Sequence, residues 1–367
     1  LVISDQKKNS PALYAESQHQ IKKEHIDSQA REIIDLLIKS GFKSYLVGGC
    51  IRDLILNKKP KDFDVVTEAT PEQIKKTIPR SRIIGRRFKL VHVRKGRQIT
   101  EVSTFRTKGG KRTAKTNKGI VIRDNFYGTI KEDAFRRDFT LNSLYLDLSN
   151  MQIIDYTGGY KDLKNKLIIS IGDSKLRFRE DPVRIIRAVR FLNNLNLTMR
   201  QSLKKDLINS AYLLQEVPSA RRYEEVLKLF LTGNAKNNFL TLLDFKTLKY
   251  LLPDTAKYST SNKHLNFIIT ALNSSDKRVK NNLPLTPAFL FSVLLWPSLT
   301  ERIGEVTSKN TKIPALLRSA NIILKQQKQH CFIPNRIESM IKDIWEFQIR
   351  LLKIPPKSKQ IVNHKRF

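Results

Sequence analysis

Apolar residues along this chain follow two rhythms, one for each half. In the first half the pattern shifts between short alternating runs and brief helical stripes. AREIIDLLIKSGF places Ile33, Ile34, Leu36, Leu37 and Phe42 on a helical stripe that stops at Gly41. SYLVGG then reads as a strand ending in glycines, CIRDLILN as a short helix through Ile51, Leu54 and Ile55, and DFDVVT as a strand. TPEQIKKTI opens a helix with Thr70 as N-cap, Pro71 at the first helical position and Glu72 in the first turn. RIIG, KLVHVRKG and QITEVSTFR alternate as strands do, and residues 107–119 hold no apolar side chain larger than Ala, the mark of a mobile basic loop.

From Asp181 onward helical stripes dominate: PVRIIRAVRFLNNL, RRYEEVLKLFLTG, KNNFLTLLDFKTLKYLL, PAFLFSVLLW, IPALLRSANIILKQQ and RIESMIKDIWEFQIRLL. The pattern predicts an α/β head, a mixed sheet with flanking helices, followed by an all-α body, the change falling near residues 165–180. The expected divisions are a flexible tail over 1–28, the head over 29–170, helical segments over 171–255 and 256–352, and a basic tail over 353–367. No internal repeat is present.

Charge alters this otherwise ordinary picture. The 367 residues carry 68 Lys and Arg against 34 Asp and Glu, a net charge of +34, with lysine spread along the whole chain. Such a surface suits a polyanion, RNA or DNA, although solvated basic faces give the same count. Cys50 and Cys331 are too isolated for a disulfide framework or a zinc site and fit a reducing, cytoplasmic setting. No apolar run approaches the roughly 20 residues needed to span a bilayer. The longest, Ala288 to Pro297, reads as a buried helix ended by its proline. The polar N-terminus has no signal-peptide core, and its first residue, Leu1, points to a missing start or an alternative start codon.

The candidate chemistry lies in YLVGGCIRDLILNKKPKDFDVVT, Tyr45 to Thr67. On a strand, Asp62 and Asp64 face one side and Phe63 the other, into the core. Converging carboxylates repel unless a cation lies between them, and hard oxygen ligands with room for phosphates favour Mg²⁺. A solvated edge strand also produces the D-x-D pattern; what counts against it is the preceding glycine pair. Gly48 and Gly49, at a strand end feeding a helix, expose backbone N–H groups to an anion such as a triphosphate. Strand, Gly-Gly, helix, strand and D-x-D in this order describe a nucleotidyl-transfer site.

Those residues, with EDAFRRDFTLNSLY, DYTGGYKDL and REDPVRIIRAVRF, resemble the class II nucleotidyltransferase family of bacterial poly(A) polymerases and CCA-adding tRNA nucleotidyltransferases. The resemblance runs in order from Gly41 to Phe191, with weaker likeness over Lys342 to Gln348. It implies that Asp62 and Asp64 bind two catalytic Mg²⁺ ions, with Mn²⁺ as a substitute, and that Gly48, Gly49 and Arg52 contact the triphosphate of ATP. Glu101 matches a third acidic position near the metals, though a lone strand Glu is usually just a polar face. By the same resemblance Arg136 and Arg137 engage phosphates, Asp138 the ribose hydroxyls, and Asn142 positions the nucleotide.

Local sequence alone reads Asp181 before Pro182 as a helix N-cap. Asp181 and Arg184, at i and i+3, also share a helix face and offer an acceptor and a fork of donors to a base edge. The family pattern assigns them that base-reading role, with Arg187 and Arg190 toward phosphate. It likewise makes residues 171–255 a base-recognition neck and 256–352 an RNA-binding body. GRRFKLVHV, with Lys89 and Leu90 after Phe88, sides with the polymerase branch, because CCA-adding enzymes carry an FGT element after the aromatic.

The resemblance implies template-independent transfer of AMP from ATP to RNA 3′ ends by a monomer, feeding the RNA-degradation machinery. CCA addition to tRNA, transfer to a small molecule and non-catalytic RNA binding are the competing readings. The basic loop at 107–119 either tracks RNA phosphates or is simply solvated. Cys50 replaces a smaller residue, and the C-terminal tail is shorter than in many family members.

Overall fold

The computed structural model describes residues 10–85, 89–107, 114–115, 121–123, 126–306 and 312–351. The chain divides into two compact units, Leu1–Arg184 with Asn196–Leu207, and Ile185–Leu195 with Ile208–Phe367. The division therefore falls later than residues 165–180 and crosses the expected neck.

In the first unit the elements are β1 (Ala12–Tyr14), α1 (Glu16–His19), α2 (Ser28–Lys39), β2 (Ser44–Val47), α3 (Gly49–Ile55), β3 (Asp64–Thr67), α4 (Pro71–Thr77), β4 (Ser81–Ile84), β5 (Leu90–Lys95) and β6 (Gln98–Thr104). They continue as β7 (Ala114–Lys115), β8 (Val121–Arg123), α5 (Ile130–Arg136), β9 (Leu144–Asp147), β10 (Gln152–Asp155), α6 (Gly159–Lys164), β11 (Leu167–Ile168) and α7 (Ser174–Glu180). Eight of the strands form one mixed sheet in the order β1-β10-β9-β2-β3-β6-β5-β4. Every pair in it is antiparallel except β3 and β6, which run parallel.

Local chemistry explains the helices. Asp27 caps α2 by accepting from the N–H groups of Gln29 and Ala30, and Ile33, Ile34 and Leu37 bury its apolar face. Thr70 and Gln73 close a reciprocal capping box on α4, with Pro71 in its first turn. Val47, Val66, Phe105, Ala134 and Tyr145 form a buried cluster that joins the central strands to α5.

Residues 12–27 are not the flexible tail the sequence predicts. β1 pairs with β10, Tyr14 stacks on Tyr160 with ring centroids 4.0 Å apart, and Ile21 and Ile26 are buried. The apolar run Ala12–Tyr14 is too short to register as an element, and its pairing with β10 is what orders it. Similarly, β7 pairs with β8 inside and just beyond the stretch expected to be a mobile loop; the rest of 107–119 except Thr107 lies outside the described residues.

α8 (Val183–Asn194), β12 (Thr198–Met199) and α9 (Gln201–Ser210) follow, with β12 pairing parallel to β11. The remaining helices belong to the second unit: α10 (Ser219–Phe230), α11 (Ala235–Asp244), α12 (Pro253–Tyr258), α13 (Asn262–Lys280), α14 (Pro287–Val306), α15 (Lys312–His330) and α16 (Asn335–Leu351). Contrary to expectation, α14 does not end at Pro297 but continues through it. Proline removes one intrahelical donor, and outside donors serve this region: Trp345 Nε1 bonds the Ser292 carbonyl at 3.0 Å and Thr255 Oγ1 the Leu294 carbonyl at 2.9 Å. No helix among the described residues is long and apolar enough to cross a membrane.

Candidate active site

The site grows from the end of β2. Val47 pairs with Asp64 across the β2–β3 ladder, so the glycine turn and the first residue of β3 lie side by side. Gly48 has φ +81° and ψ −124°, a backbone state that side chains other than glycine's strongly disfavour. A Cβ on Gly48 would lie 3.5 Å from Arg137 Nη1, and one on Gly49 would lie 3.5 Å from Arg52 Nη2. Two guanidinium groups thus border the two glycines.

Asp64 opens β3, whereas Asp62 lies before the strand and is exposed, and Phe63 is only half-buried. The expected strand therefore starts two residues later than the sequence pattern implies, and Phe63 is not a core residue. Glu101 precedes Val102, which pairs in parallel with Val65, so Glu101 and Asp64 occupy equivalent places on adjacent strands. Burial, the nearby Glu101 and then Asp62 raise the Asp64 carboxyl to about 6, with Arg137 pulling the other way. Glu101 is half exposed and lies 3.4 Å from His92 Nε2.

Among the described residues no group of three or more His, Cys, Asp or Glu forms a ready metal cage. The donor set nevertheless fits Mg²⁺, which takes one or two carboxylates and completes its shell with phosphate and water oxygens. Asp64, held partly out of water beside two other acids, is the kind of carboxylate that a cation would relieve.

The third part of the site comes from α5 and the turn after it. Thr129 caps α5, and buried Asp133 on that helix accepts from Arg136 at 3.1 Å, from Arg137 at 2.9 Å and from the Tyr145 hydroxyl at 2.8 Å. Burial opposes ionisation of Asp133, but Arg137 and Arg136 outweigh it and hold the carboxyl down at about 2. All three Arg137 nitrogens bond within the protein, Nε to Asp133 and Tyr145, Nη2 to Asp133 and Nη1 to the Asn142 carbonyl. Arg137 is thus part of the frame, although close enough to bias Asp64. Asn142 Oδ1 accepts from Arg52 Nη1 at 2.7 Å, while its Nδ2 donates to Asp138 Oδ1 at 3.1 Å. Arg52 also pairs with Asp53 at 2.7 Å. Gly48, Gly49, Arg52, Arg137, Asp138 and Asn142 therefore converge, with Asp64 beside them.

At the EDPVR stretch, Asp181 ends α7 and its Oδ1 accepts from the Val183 N–H at 3.4 Å, so the capping geometry read from local sequence is present. Arg184 turns back along α7, where Nη1 donates to the Arg177 carbonyl at 2.9 Å and approaches Glu180 at 3.4 Å. Arg187 and Arg190 belong to the second unit, where both guanidinium groups pack on the Phe191 ring and Arg190 pairs with Glu225 at 3.3 Å. Arg86, Arg87 and Phe88 of the branch-discriminating stretch lie outside the described residues.

Three participants were not singled out from sequence: Asp133, Tyr145 and Arg177. Asp133 had a signal, since it stands three and four residues before Arg136 and Arg137. Tyr145 and Arg177 had none, because only the fold brings them to α5.

Comparison with known proteins now adds to this geometry. Residues 44–169 match the Poly A polymerase head domain, residues 196–259 the probable RNA and SrmB-binding site of polymerase A, and residues 308–367 the polymerase A arginine-rich C-terminus. The chain is 37% identical to poly(A) polymerase I of Salmonella typhi over 362 residues, 95% of this chain and 78% of that one. The chain belongs to the poly(A) polymerase family. A CCA-adding enzyme of Lactobacillus delbrueckii subsp. bulgaricus is 35% identical, but over only 59% of this chain and 53% of its own. The crystal structure of the Bacillus stearothermophilus CCA-adding enzyme in complex with CTP shares the fold, with a TM-score of 0.58 at 23% identity, covering 93% of this chain and 85% of that one. The polymerase family membership and the nucleotidyltransferase fold thus agree with the expectation from sequence.

Proposed function

We infer that this chain is a polynucleotide adenylyltransferase, adding AMP from ATP to RNA 3′ ends without a template. The observation that carries this reading is likeness to poly(A) polymerase I along nearly the whole chain, against a partial match to CCA-adding enzymes. In each cycle the RNA 3′-hydroxyl attacks the α-phosphate of ATP, a new phosphodiester bond forms, and pyrophosphate leaves.

The proposed roles follow the geometry. Asp62 and Asp64 would hold Mg²⁺, or Mn²⁺ in its place, with Glu101 as a third acid nearby; the metal supplies Lewis-acid stabilisation and a more acidic hydroxyl. Gly48 and Gly49 leave space for phosphate oxygens, and Arg52 neutralises their charge. Arg136 adds positive charge at the same end, while Arg137 acts as frame and as a fixed cation. Asp138, held by Asn142, would accept from ribose hydroxyls. Asp181 and Arg184 would read the base, and Arg187 and Arg190 would lie along phosphates. A net charge of +34 supports binding of RNA. A monomer acting on RNA in the cytoplasm, in company with RNA-degrading enzymes, completes the proposal.

The test is nucleotide choice on a generic RNA with a free 3′-hydroxyl, with ATP or CTP supplied alone and tRNA lacking its 3′ end as a second acceptor. Long tails from ATP on the generic RNA support polyadenylation. CTP incorporation confined to tRNA ends would replace this reading with CCA addition.

A further inference from the structure

We propose that Arg177 is a positioning residue that fixes the turn carrying Arg137 and Asp138 relative to Arg184, and thereby sustains the preference for ATP over CTP. The inference deepens the function above and rests on its assignment of Arg184 to the incoming base.

Arg177 sits in α7, one turn before Asp181, and is 3% exposed. Its Nη2 donates to two carbonyls, those of Arg136 and Arg137. These are among the last carbonyls of α5, which helix geometry leaves without intrahelical donors. Its Nη1 donates to Glu180 Oε2 at 2.7 Å, and the same carboxylate oxygen lies 3.4 Å from Arg184 Nη1. Arg184 Nη1 also donates to the backbone carbonyl of Arg177 at 2.9 Å. One residue therefore grips the end of α5 with its side chain and Arg184 with its main chain, and it shares a carboxylate with Arg184.

Two features argue against simple packing. Arg177 Nε is buried with no hydrogen-bond partner, a desolvation cost that an apolar side chain at this place would avoid. The side chain also tolerates a like charge: burial, then Arg184, pull its pKa down to about 10, with Glu180 and Asp138 opposing. Glu180 thus has both Arg177 and Arg184 beside it. Without Arg177 its pull on Arg184 strengthens, turning the guanidinium fork away from a base edge. Lysine can reproduce only part of this arrangement, because one ammonium lacks the planar fork that reaches both the carbonyls and Glu180.

The experiment uses the full chain with Arg177→Met and Arg177→Lys, measuring kcat and KM separately for ATP and for CTP on a generic RNA, with a thermal melt of each variant. The expected result for Arg177→Met is an ATP KM raised about tenfold and an ATP-over-CTP ratio of kcat/KM lowered about tenfold, with partial rescue by Arg177→Lys. A parallel loss for both nucleotides, or no change, overturns the proposal. Should Arg177→Met fail to fold, Glu180→Gln carries the test, since it releases Arg184 from the shared carboxylate; an unchanged ratio there also overturns it. Failure of the unaltered protein to adenylate RNA would instead overturn the functional reading, so the two outcomes are distinct.

Discussion

Arg52 and Asn142 lie 90 residues apart in sequence and are joined by a 2.7 Å hydrogen bond beside the glycine turn. Asn142 passes this constraint on to Asp138, so the cation proposed for phosphate and the acceptor proposed for ribose are set by one amide. Asn142→Ala should lower kcat/KM for ATP by about 10- to 100-fold, the scale of a lost charge-assisted hydrogen bond. Arg52→Ala and the double variant should show strong non-additivity in a double-mutant cycle of steady-state rates. Additive losses would mean that the two residues act independently.

Asp64 is held in a state that costs the fold stability at neutral pH. Burial and the neighbouring Glu101 push its carboxyl up to about 6, against about 3.9 for an unperturbed aspartate. A raised acid disfavours the charged form, so its stability contribution is intact at low pH and is lost as pH rises from about 4 through 6. Asp64→Asn should therefore raise the melting temperature of the metal-free protein at pH 7.5, by an amount equivalent to about 1–3 kcal/mol, and abolish nucleotidyl transfer. At pH 4 the stabilisation should nearly vanish. Melts in EDTA at both pH values check this; equal effects at both would contradict it.

Asp133 carries the opposite sign. Arg137 and Arg136 hold its carboxyl near 2 despite burial, so the stability it brings is present above about pH 4 and is lost as pH falls toward 2. Asp133→Asn should cost about 3–5 kcal/mol at pH 7, because Arg137 loses its carboxylate in a buried setting. Urea titrations from pH 5 to pH 2.5 should show a steeper decline in the unaltered protein than in the variant.

Much of this frame was legible in the sequence. The strands around Gly48 and Asp64, the capped helix at Thr70 and the ordered motifs all carry local signals, and the structure has them. α13 was missed for a physical reason: its buried face includes His264, Ser275 and Asp276 alongside Ile268 and Leu272, so an apolar stripe never forms. Asp276 is buried there because it caps α11, accepting from the N–H groups of Ala235 and Lys236 at 2.7 and 3.1 Å. Likewise KNNFLTLLDFKTLKYLL reads as one stripe but breaks after Asp244, where Lys246 takes φ +55°. At the site, residue types announced charge and turns, but which arginine is frame and which can face a ligand depends on Tyr145 and Asp133, contacts only the fold creates.

Neighbouring glycines should respond very differently to a single methyl group. A Cβ on Gly159 would fall 2.1 Å from the Thr140 carbonyl oxygen, backbone that leads directly into Asn142, whereas one on Gly158 meets nothing within 4 Å. Gly159→Ala should destabilise the protein by about 1–3 kcal/mol or more and raise the KM for ATP through the displaced turn. Gly158→Ala, strained only by its φ of +82°, should cost about 1 kcal/mol and leave KM unchanged. Chemical denaturation and ATP kinetics on the pair separate the two effects.

The three residues of β1 also determine what a smaller version of this molecule must contain. They cover β10, which would otherwise be the bare rim of the seven strands that remain. An open rim of this kind invites pairing with another chain. A catalytic fragment cut at residue 28, where the first long helix begins, would trade a shorter gene for a sticky margin; one that keeps residues from Ser10 onward retains its own seal.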